Sequence, residues 1–77
     1  MDYSAAVEIV KKALERNVNG LEVSDGDMDI LLKDLGVDSI DVMMVIMDIV
    51  ESAGVSVSDD QAVELDTPAK IVSFLMR

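Results

Sequence analysis

Ser39 is the residue of this sequence whose setting most suggests chemistry. It lies between Asp38 and Ile40, immediately before a strongly apolar stretch. The chain contains no histidine and no cysteine, so it has no Ser-His-Asp triad to make this serine a nucleophile. The same absence excludes disulfides, thiolate metal sites and the common zinc arrangements. We therefore expect Ser39 to be modified by another protein and not to react on its own.

The residues around Ser39 have the pattern of a helix start. Asp38 suits the N-cap, because its carboxylate can accept hydrogen bonds from the free N–H groups of the first turn. Asp41 can take part of the capping-box role, although Glu or Gln is usual there, and Gly36 lets the chain turn before the cap. A negatively charged group attached to Ser39 would benefit from the helix dipole but would be repelled by Asp38 and Asp41. On spacing alone, an ordinary helix start is the simpler interpretation.

Length and charge limit the classes of function. Seventy-seven residues predict one domain covering residues 1–77. Sixteen acidic and six basic residues give a net charge of −10, which disfavours nucleic acid and anionic membranes as partners and favours basic surfaces. This charge also implies self-repulsion, so salt or a divalent cation should raise thermal stability. We expect a monomer.

No segment has the features of a leader or a membrane span. The N-terminal residues 1–4 lack a basic region followed by a continuous apolar stretch, as a signal peptide would require. The apolar residues 42–47 are interrupted by Asp48, so the run is too short to cross a bilayer. Together with the absence of cysteine, these features indicate a cytoplasmic protein.

The hydrophobic periodicity predicts four helices around one core. Thr67 and Pro68 mark a helix start, with the threonine as N-cap and the proline at the first helical position. Gly54 is the expected stop of the central helix, and Ser58 or Asp59 can cap a brief third helix. The predicted fold is an all-α, small four-helix bundle with a long first loop and a short third helix. The predicted bounds are residues 4–17, 39–53, 60–65 and 68–76.

The long connection over residues 18–37 is too apolar to be a free loop throughout. A structureless connection of this length is unusual in a small domain. We therefore expect a helical turn that holds the loop against the core. It is predicted to involve Ile30, Leu31, Leu32 and Leu35.

The same connection contains an alternation of acidic residues that is typical of the start of a calcium loop. Asp25, Asp27 and Asp29 alternate in this way. An EF-hand needs glycine at the sixth position and glutamate at the twelfth. Here those positions hold Ile30 and Gly36, which excludes an EF-hand and leaves only weak, nonspecific cation binding open. No specific metal site is expected.

The central helix has two apolar stripes, whereas a surface helix needs only one. At about 100° per residue, one stripe forms the core face; it contains Val42, Val45, Ile46, Ile49 and Ala53. The second stripe contains Ile40, Met43, Met47 and Val50, with Met44 and Glu51 beside it. The second stripe is therefore either covered by another helix or exposed for binding.

The sequence around Ser39 resembles the prosthetic-group site of acyl carrier proteins. The segment that carries the resemblance is Asp34-Leu35-Gly36-Val37-Asp38-Ser39-Ile40-Asp41. The resemblance extends to the size, the acidity, the long first loop and the late Thr67-Pro68 helix start. It implies that a phosphopantetheinyl transferase attaches 4'-phosphopantetheine from coenzyme A to Ser39, within a motif formed by Asp38, Ile40 and Asp41. The modified protein would carry acyl groups as thioesters and present them to acyl-loading and acyl-processing enzymes, without being an enzyme.

The central helix departs from the fatty-acid branch of that family, which usually carries several glutamates there. Its acids are Asp41, Asp48 and Glu51. Methionine adapts to varied apolar surfaces, so we expect a more apolar docking patch than usual. It would contain Ile40, Met43, Met44 and Met47, together with the acids Asp48 and Glu51. The alternative is that these apolar residues pack against the long loop or line an acyl cavity.

The resemblance leaves the pathway open among fatty acids, polyketides and specialised lipids. The departure on the central helix favours a specialised product, and a peptidyl carrier is disfavoured because Val37-Asp38-Ser39 lacks a Gly-Gly lead-in. Because the sequence starts at Met1 and ends soon after the last helix, we expect a free-standing carrier. The runner-up is an unmodified helical interaction module that binds a partner through its methionine-rich helix. An enzyme has little support, because no spacing of the carboxylates indicates a paired acid–base site.

Overall fold

The computed structural model describes residues 1–77 as an all-α fold of four helices. The helix α1 packs against both α2 and α4. This architecture confirms the predicted fold class, and α2 has the predicted bounds. None of the four helices combines the length and the apolar content that a membrane span requires. The helices are α1 (Tyr3–Asn17), α2 (Ser39–Ala53), α3 (Asp59–Glu64) and α4 (Pro68–Leu75).

Local capping interactions fix where the helices begin and end. The carboxylate of Asp2 accepts a hydrogen bond of 2.8 Å from the amide of Ala5 at the start of α1. Ser58 and the third residue of α3 form a reciprocal capping box, and the hydroxyl of Thr67 accepts from a backbone amide at the start of α4. Gly54 ends α2 in the left-handed conformation, with φ of 66°. Each of these groups satisfies backbone donors or acceptors that a helix end leaves free.

The core is one cluster of fifteen buried hydrophobic residues, most of them on three helices. From α1, α2 and α4 it takes Ala6, Val10, Ala13, Leu14, Val45, Ile46, Ile49, Ile71, Val72 and Leu75. Val42 and Ala53, which were predicted on the core face of α2, are only half-buried at the edge of this cluster. The helices α1, α2 and α4 therefore form the packed body on which the first loop and α3 rest.

The predicted helical turn in the first loop is present as a 3₁₀ turn over Leu32–Leu35. Leu32 is buried and Leu35 is half-buried against the core. Ile30 and Leu31, which were expected to share this role, are 39% and 37% exposed. The turn thus holds the loop through its later leucines.

Two loop residues that sequence reasoning did not single out anchor the rest of the loop. Val23 and Met28 are both buried in the core cluster. The carbonyl of Met28 accepts a hydrogen bond of 2.8 Å from the amide of Ala69 in α4, and the amide of Leu32 donates to the carbonyl of Asp66 at 2.8 Å. Backbone bonds therefore attach this loop to α4 and to the segment that joins α3 and α4.

The alternating acids of the loop do not converge on one point. Asp25 forms an ion pair of 2.8 Å with Lys11, while the carboxylate of Asp27 accepts hydrogen bonds from the amide and hydroxyl of Ser24. No group of three or more acidic side chains in the structure is placed to hold a metal ion.

Candidate functional site

The backbone turns toward Ser39 at Gly36, which has φ of 89°. The amide of Gly36 donates to the carbonyls of Leu32 and Lys33, and the amide of Val37 donates to the carbonyl of Leu32 at 3.0 Å. Leu32 and Val37 are both buried. The turn is therefore fixed to the core on both sides of the glycine, and this fixes the point at which α2 begins.

Asp38 is the N-cap of α2, as predicted. Its carboxylate accepts a hydrogen bond of 2.9 Å from the amide of Asp41, and its carbonyl accepts from the amide of Val42. The reciprocal half of a capping box, from the amide of Asp38 to the side chain of Asp41, is not formed. Ser39 is the first residue of α2 and is exposed, as is Ile40. The site residues predicted from the sequence therefore lie together at one helix end.

Ser39 lines an apolar groove of about 650 Å³ between the Leu32–Leu35 turn, α2 and α3. Eight of its twelve lining residues are hydrophobic, so the groove can accept an aliphatic chain that begins near the Ser39 hydroxyl. Its polar lining consists of Lys33, Ser39, Asp59 and Asp66. Its hydrophobic lining consists of Leu31, Leu32, Val37, Val42, Met43, Ala62, Val63 and Leu65.

Ile40, Met43 and Met47 of the second apolar stripe are exposed, as is the adjacent Met44. Val50, the fourth residue of that stripe, is half-buried against the core. The exposed fractions of Ile40 and Met47 are 72% and 64%, and those of Met43 and Met44 are 50% and 47%. Met43 also lines the groove, together with Leu31, Leu32 and Val37 of the long loop. Val63 of α3 is 81% exposed and lines the same groove; no periodicity in so short a helix singled it out. Exposed apolar surface therefore extends from α2 across the groove to α3.

Asp48, which was predicted as a docking residue, joins two helices. Its two carboxylate oxygens accept hydrogen bonds of 2.8 and 2.9 Å from the guanidinium of Arg16, and one accepts a bond of 2.7 Å from the side-chain amide of Asn17. The hydroxyl of Ser52 donates to it as well. Its carboxylate is thus engaged within the protein, because α1 and α2 pack together along this face. Glu51 is exposed and forms no ion pair.

The bonds from Arg16 lower the pKa of the Asp48 carboxyl below its usual value. Desolvation by burial acts in the opposite direction, and the hydrogen bonds from Asn17 and Ser52 add to the lowering. The pKa of Asp25 is likewise lowered by its hydrogen bond to Lys11. Both ion pairs therefore favour the charged form of these carboxyls.

Two comparisons with known proteins identify the family of this chain. The family model described as "Phosphopantetheine attachment site" matches residues 5–75. A protein of Exiguobacterium sibiricum named "Acyl carrier protein" is 39% identical over 57 residues, which cover 73% of this chain and 72% of that relative. The chain belongs to the acyl carrier protein family. No solved structure gives a significant match.

Membership of the acyl carrier protein family fixes the class of function and the cofactor. Acyl carrier proteins are carriers and not enzymes, and phosphopantetheine is the group that becomes attached to this domain. The structure offers what such a group requires: an exposed hydroxyl at Ser39 and an apolar groove beside it. The carrier class and the cofactor predicted from the sequence are therefore confirmed.

Proposed function

We propose that Ser39 is the residue that carries 4'-phosphopantetheine, and that the protein presents acyl groups as thioesters to separate enzymes. The observation that carries the proposal is the exposed position of Ser39 at the groove. Two other serine hydroxyls at the starts of helical turns are engaged: that of Ser24 donates to the carboxylate of Asp27, and that of Ser58 caps α3 by accepting from the amide of Gln61. Ser39 is the first residue of α2 and leaves capping to Asp38.

A phosphopantetheinyl transferase is the partner that modification requires, with coenzyme A as the donor. The attached arm supplies the thiol that a chain without cysteine lacks. The apolar groove then gives the acyl chain a place to lie out of water, because burial of each methylene contributes about 0.8 kcal/mol. The hydrophobic lining of the groove favours an aliphatic cargo.

The exposed stripe of Ile40, Met43, Met44 and Met47, called here the methionine patch, is proposed as the docking surface for acyl-loading and acyl-processing enzymes. It adjoins Ser39, so an enzyme bound there would face the arm. Asp41 and Glu51 also lie on α2, in a chain of net charge −10. The complementary partner surface is therefore an apolar centre with basic residues around it. Asp48 is not part of this surface because its carboxylate binds Arg16.

The apolar character of the methionine patch supports a specialised pathway. We place the carrier in the biosynthesis of a polyketide or an unusual lipid, and not in general fatty-acid synthesis. Enzymes that recognise glutamate-rich helices through arginine and lysine would have fewer carboxylates to bind here, since α2 has one glutamate. Enzymes matched to this carrier should present more apolar contact surface.

The decisive experiment is intact-mass measurement after incubation with coenzyme A and a broad-specificity phosphopantetheinyl transferase. The expected result is a single phosphopantetheine addition, lost in Ser39→Ala. Ser56→Ala is the matched control, because Ser56 is also exposed but lies in the link between α2 and α3; it should be modified like the wild type. If several transferases add nothing to a protein that circular dichroism shows to be folded, the unmodified interaction module becomes the better interpretation.

A further inference from the structure

One positive charge lines the groove beside Ser39. Of the four polar residues of the groove, Lys33 is basic and Asp59 and Asp66 are acidic. Asp66 is already paired with Lys70 at 2.8 Å. Lys33 therefore lies at the groove with no ion pair of its own.

Lys33 is one of three basic residues that form no ion pair. Three of the six basic residues are held in ion pairs, namely Lys11, Arg16 and Lys70, and the guanidinium of Arg77 lies over the ring of Phe74. That leaves Lys12, on α1, and Lys33. Only Lys33 lines the groove that contains Ser39.

The acids beside Ser39 repel an anion attached there and so oppose the favourable effect of the helix dipole. Asp38 precedes Ser39 directly, and Asp41 follows within the same helical turn. The Asp38 carboxylate also occupies the amide of Asp41 at 2.9 Å, so that donor is not free for another anion. A phosphate oxygen attached at Ser39 would be repelled by both carboxylates, and a nearby ammonium group offsets like-charge repulsion of this kind.

From this placement we infer that Lys33 binds the phosphodiester of the phosphopantetheine arm and positions the arm at the mouth of the groove. The inference rests on the proposed modification of Ser39. The carbonyl of Lys33 accepts a hydrogen bond of 3.3 Å from the amide of Gly36, so its backbone belongs to the same turn that sets the start of α2. The flexible four-carbon side chain then carries a compact charge to the phosphate. Lys33 is a positioning residue and takes no part in acyl transfer.

The test uses the fully modified protein and NMR readouts that do not depend on any enzyme partner. Conversion of the apo to the holo form should shift the side-chain signals of Lys33 and leave those of Lys12 in place. Lys33→Gln should move the ³¹P resonance of the arm and remove most of its dependence on salt. Lys33→Arg, which keeps the charge, should retain both properties, and Lys12→Gln should behave like the wild type.

The outcomes separate this inference from the proposed function. Complete modification by intact mass, with ³¹P signals identical in the wild type and Lys33→Gln, would overturn the role of Lys33 and leave the carrier intact. The role of Lys33 is also overturned if its signals respond only after an acyl group with a terminal carboxylate is loaded, since the cargo would then be its ligand. Absence of any mass addition would overturn both proposals together.

Discussion

Gly36 controls the direction of the chain at the site by its backbone conformation and not by its size. Its φ of 89° lies in the left-handed region, and a Cβ added there would meet no atom within 4 Å. A side chain at position 36 is therefore disfavoured by the backbone conformation and not by a collision with other atoms. Residues with a Cβ adopt this conformation at a cost of about 1–2 kcal/mol. The position of Ser39 depends on this turn, since α2 starts three residues later.

Gly36→Ala should lower the free energy of unfolding by about 1 kcal/mol, because the alanine must adopt the left-handed conformation. Gly26→Ala is the control: Gly26 does not have a positive φ, and its added Cβ would meet only the Ser24 hydroxyl at 3.9 Å. Urea unfolding of the two variants measures the difference. Equal stabilities for the two variants would mean that the turn can relax without cost.

Met44 tests whether the methionine patch acts in docking. Met44→Glu should leave the stability of the fold within about 0.5 kcal/mol, since substitutions at exposed positions usually have small effects. It should reduce the rate at which a native partner enzyme processes the loaded carrier, because a carboxylate would then enter an apolar contact. Partner kinetics and thermal melting of the same sample separate the two effects.

Met76→Glu is the matched control for Met44→Glu. Met76 is 44% exposed against 47% for Met44, but it follows α4 and lies outside the methionine patch. The same change of side chain there should leave partner kinetics unaltered. If Met44→Glu alone fails to fold, Met44 is part of the core. If the partner enzyme processes both variants at the same rate, Met44 has no role in docking.

At the scale of the helices, Asp48 joins α2 to α1 through Arg16 and Asn17. Asp48→Asn should lower the free energy of unfolding by about 1 kcal/mol at neutral pH, a value between those of exposed ion pairs and of hydrogen bonds to charged groups. Glu51→Gln removes one negative charge from the same helix without removing an ion pair. It should therefore be close to neutral in chemical denaturation.

The difference in the free energy of unfolding between the wild type and Asp48→Asn should depend on pH with a definite sign. The folded protein lowers the pKa of Asp48, so the carboxylate contributes its stability above the ordinary pKa of 3.8. That contribution is lost as pH falls below this value and through the lower folded pKa, because protonation removes the charge that binds Arg16. The stabilities of wild type and Asp48→Asn should converge in acid. A difference that stays constant from neutral pH into this range would contradict the assignment.

The helices could be predicted because their determinants are local. Capping residues and apolar spacing predicted the bounds of α2, and the 3₁₀ turn followed from its cluster of leucines. The role of Asp48 could not be predicted in this way, because its partner Arg16 lies 32 positions earlier in the chain. The burial of Met28 and the exposure of Val63 likewise depend on how the loop and α3 rest on the other helices, which local spacing does not encode.

At the scale of the whole molecule, the groove and the methionine patch form one continuous surface. Met43 belongs to both, since it lines the groove and is 50% exposed. An enzyme that covers the patch would therefore contact a wall of the groove that is proposed to hold the acyl chain. Docking and access to the cargo are linked through this residue. Any change at Met43 should affect both, which makes Met44 the better probe of docking alone.

The charge of the molecule sets its response to salt. Of its sixteen acidic residues, three are in ion pairs, which leaves thirteen without a paired cation. The molecule measures 27 × 25 × 19 Å. At about 0.01 M ionic strength the screening length is about 30 Å, so carboxylates repel one another across the whole protein; at about 0.15 M it falls to about 8 Å. Added salt therefore weakens long-range repulsion more than it weakens the short ion pairs.

Raising the ionic strength between these two values should raise the melting temperature. Relief of about 1 kcal/mol of repulsion corresponds to roughly 4–8 °C for a protein of this size. The double variant Glu22→Lys/Glu51→Lys, at two exposed positions outside the ion pairs, provides the control because it makes the net charge less negative. Its melting temperature should rise less over the same range. A wild-type melting temperature that does not change would show that self-repulsion does not limit the stability of this fold.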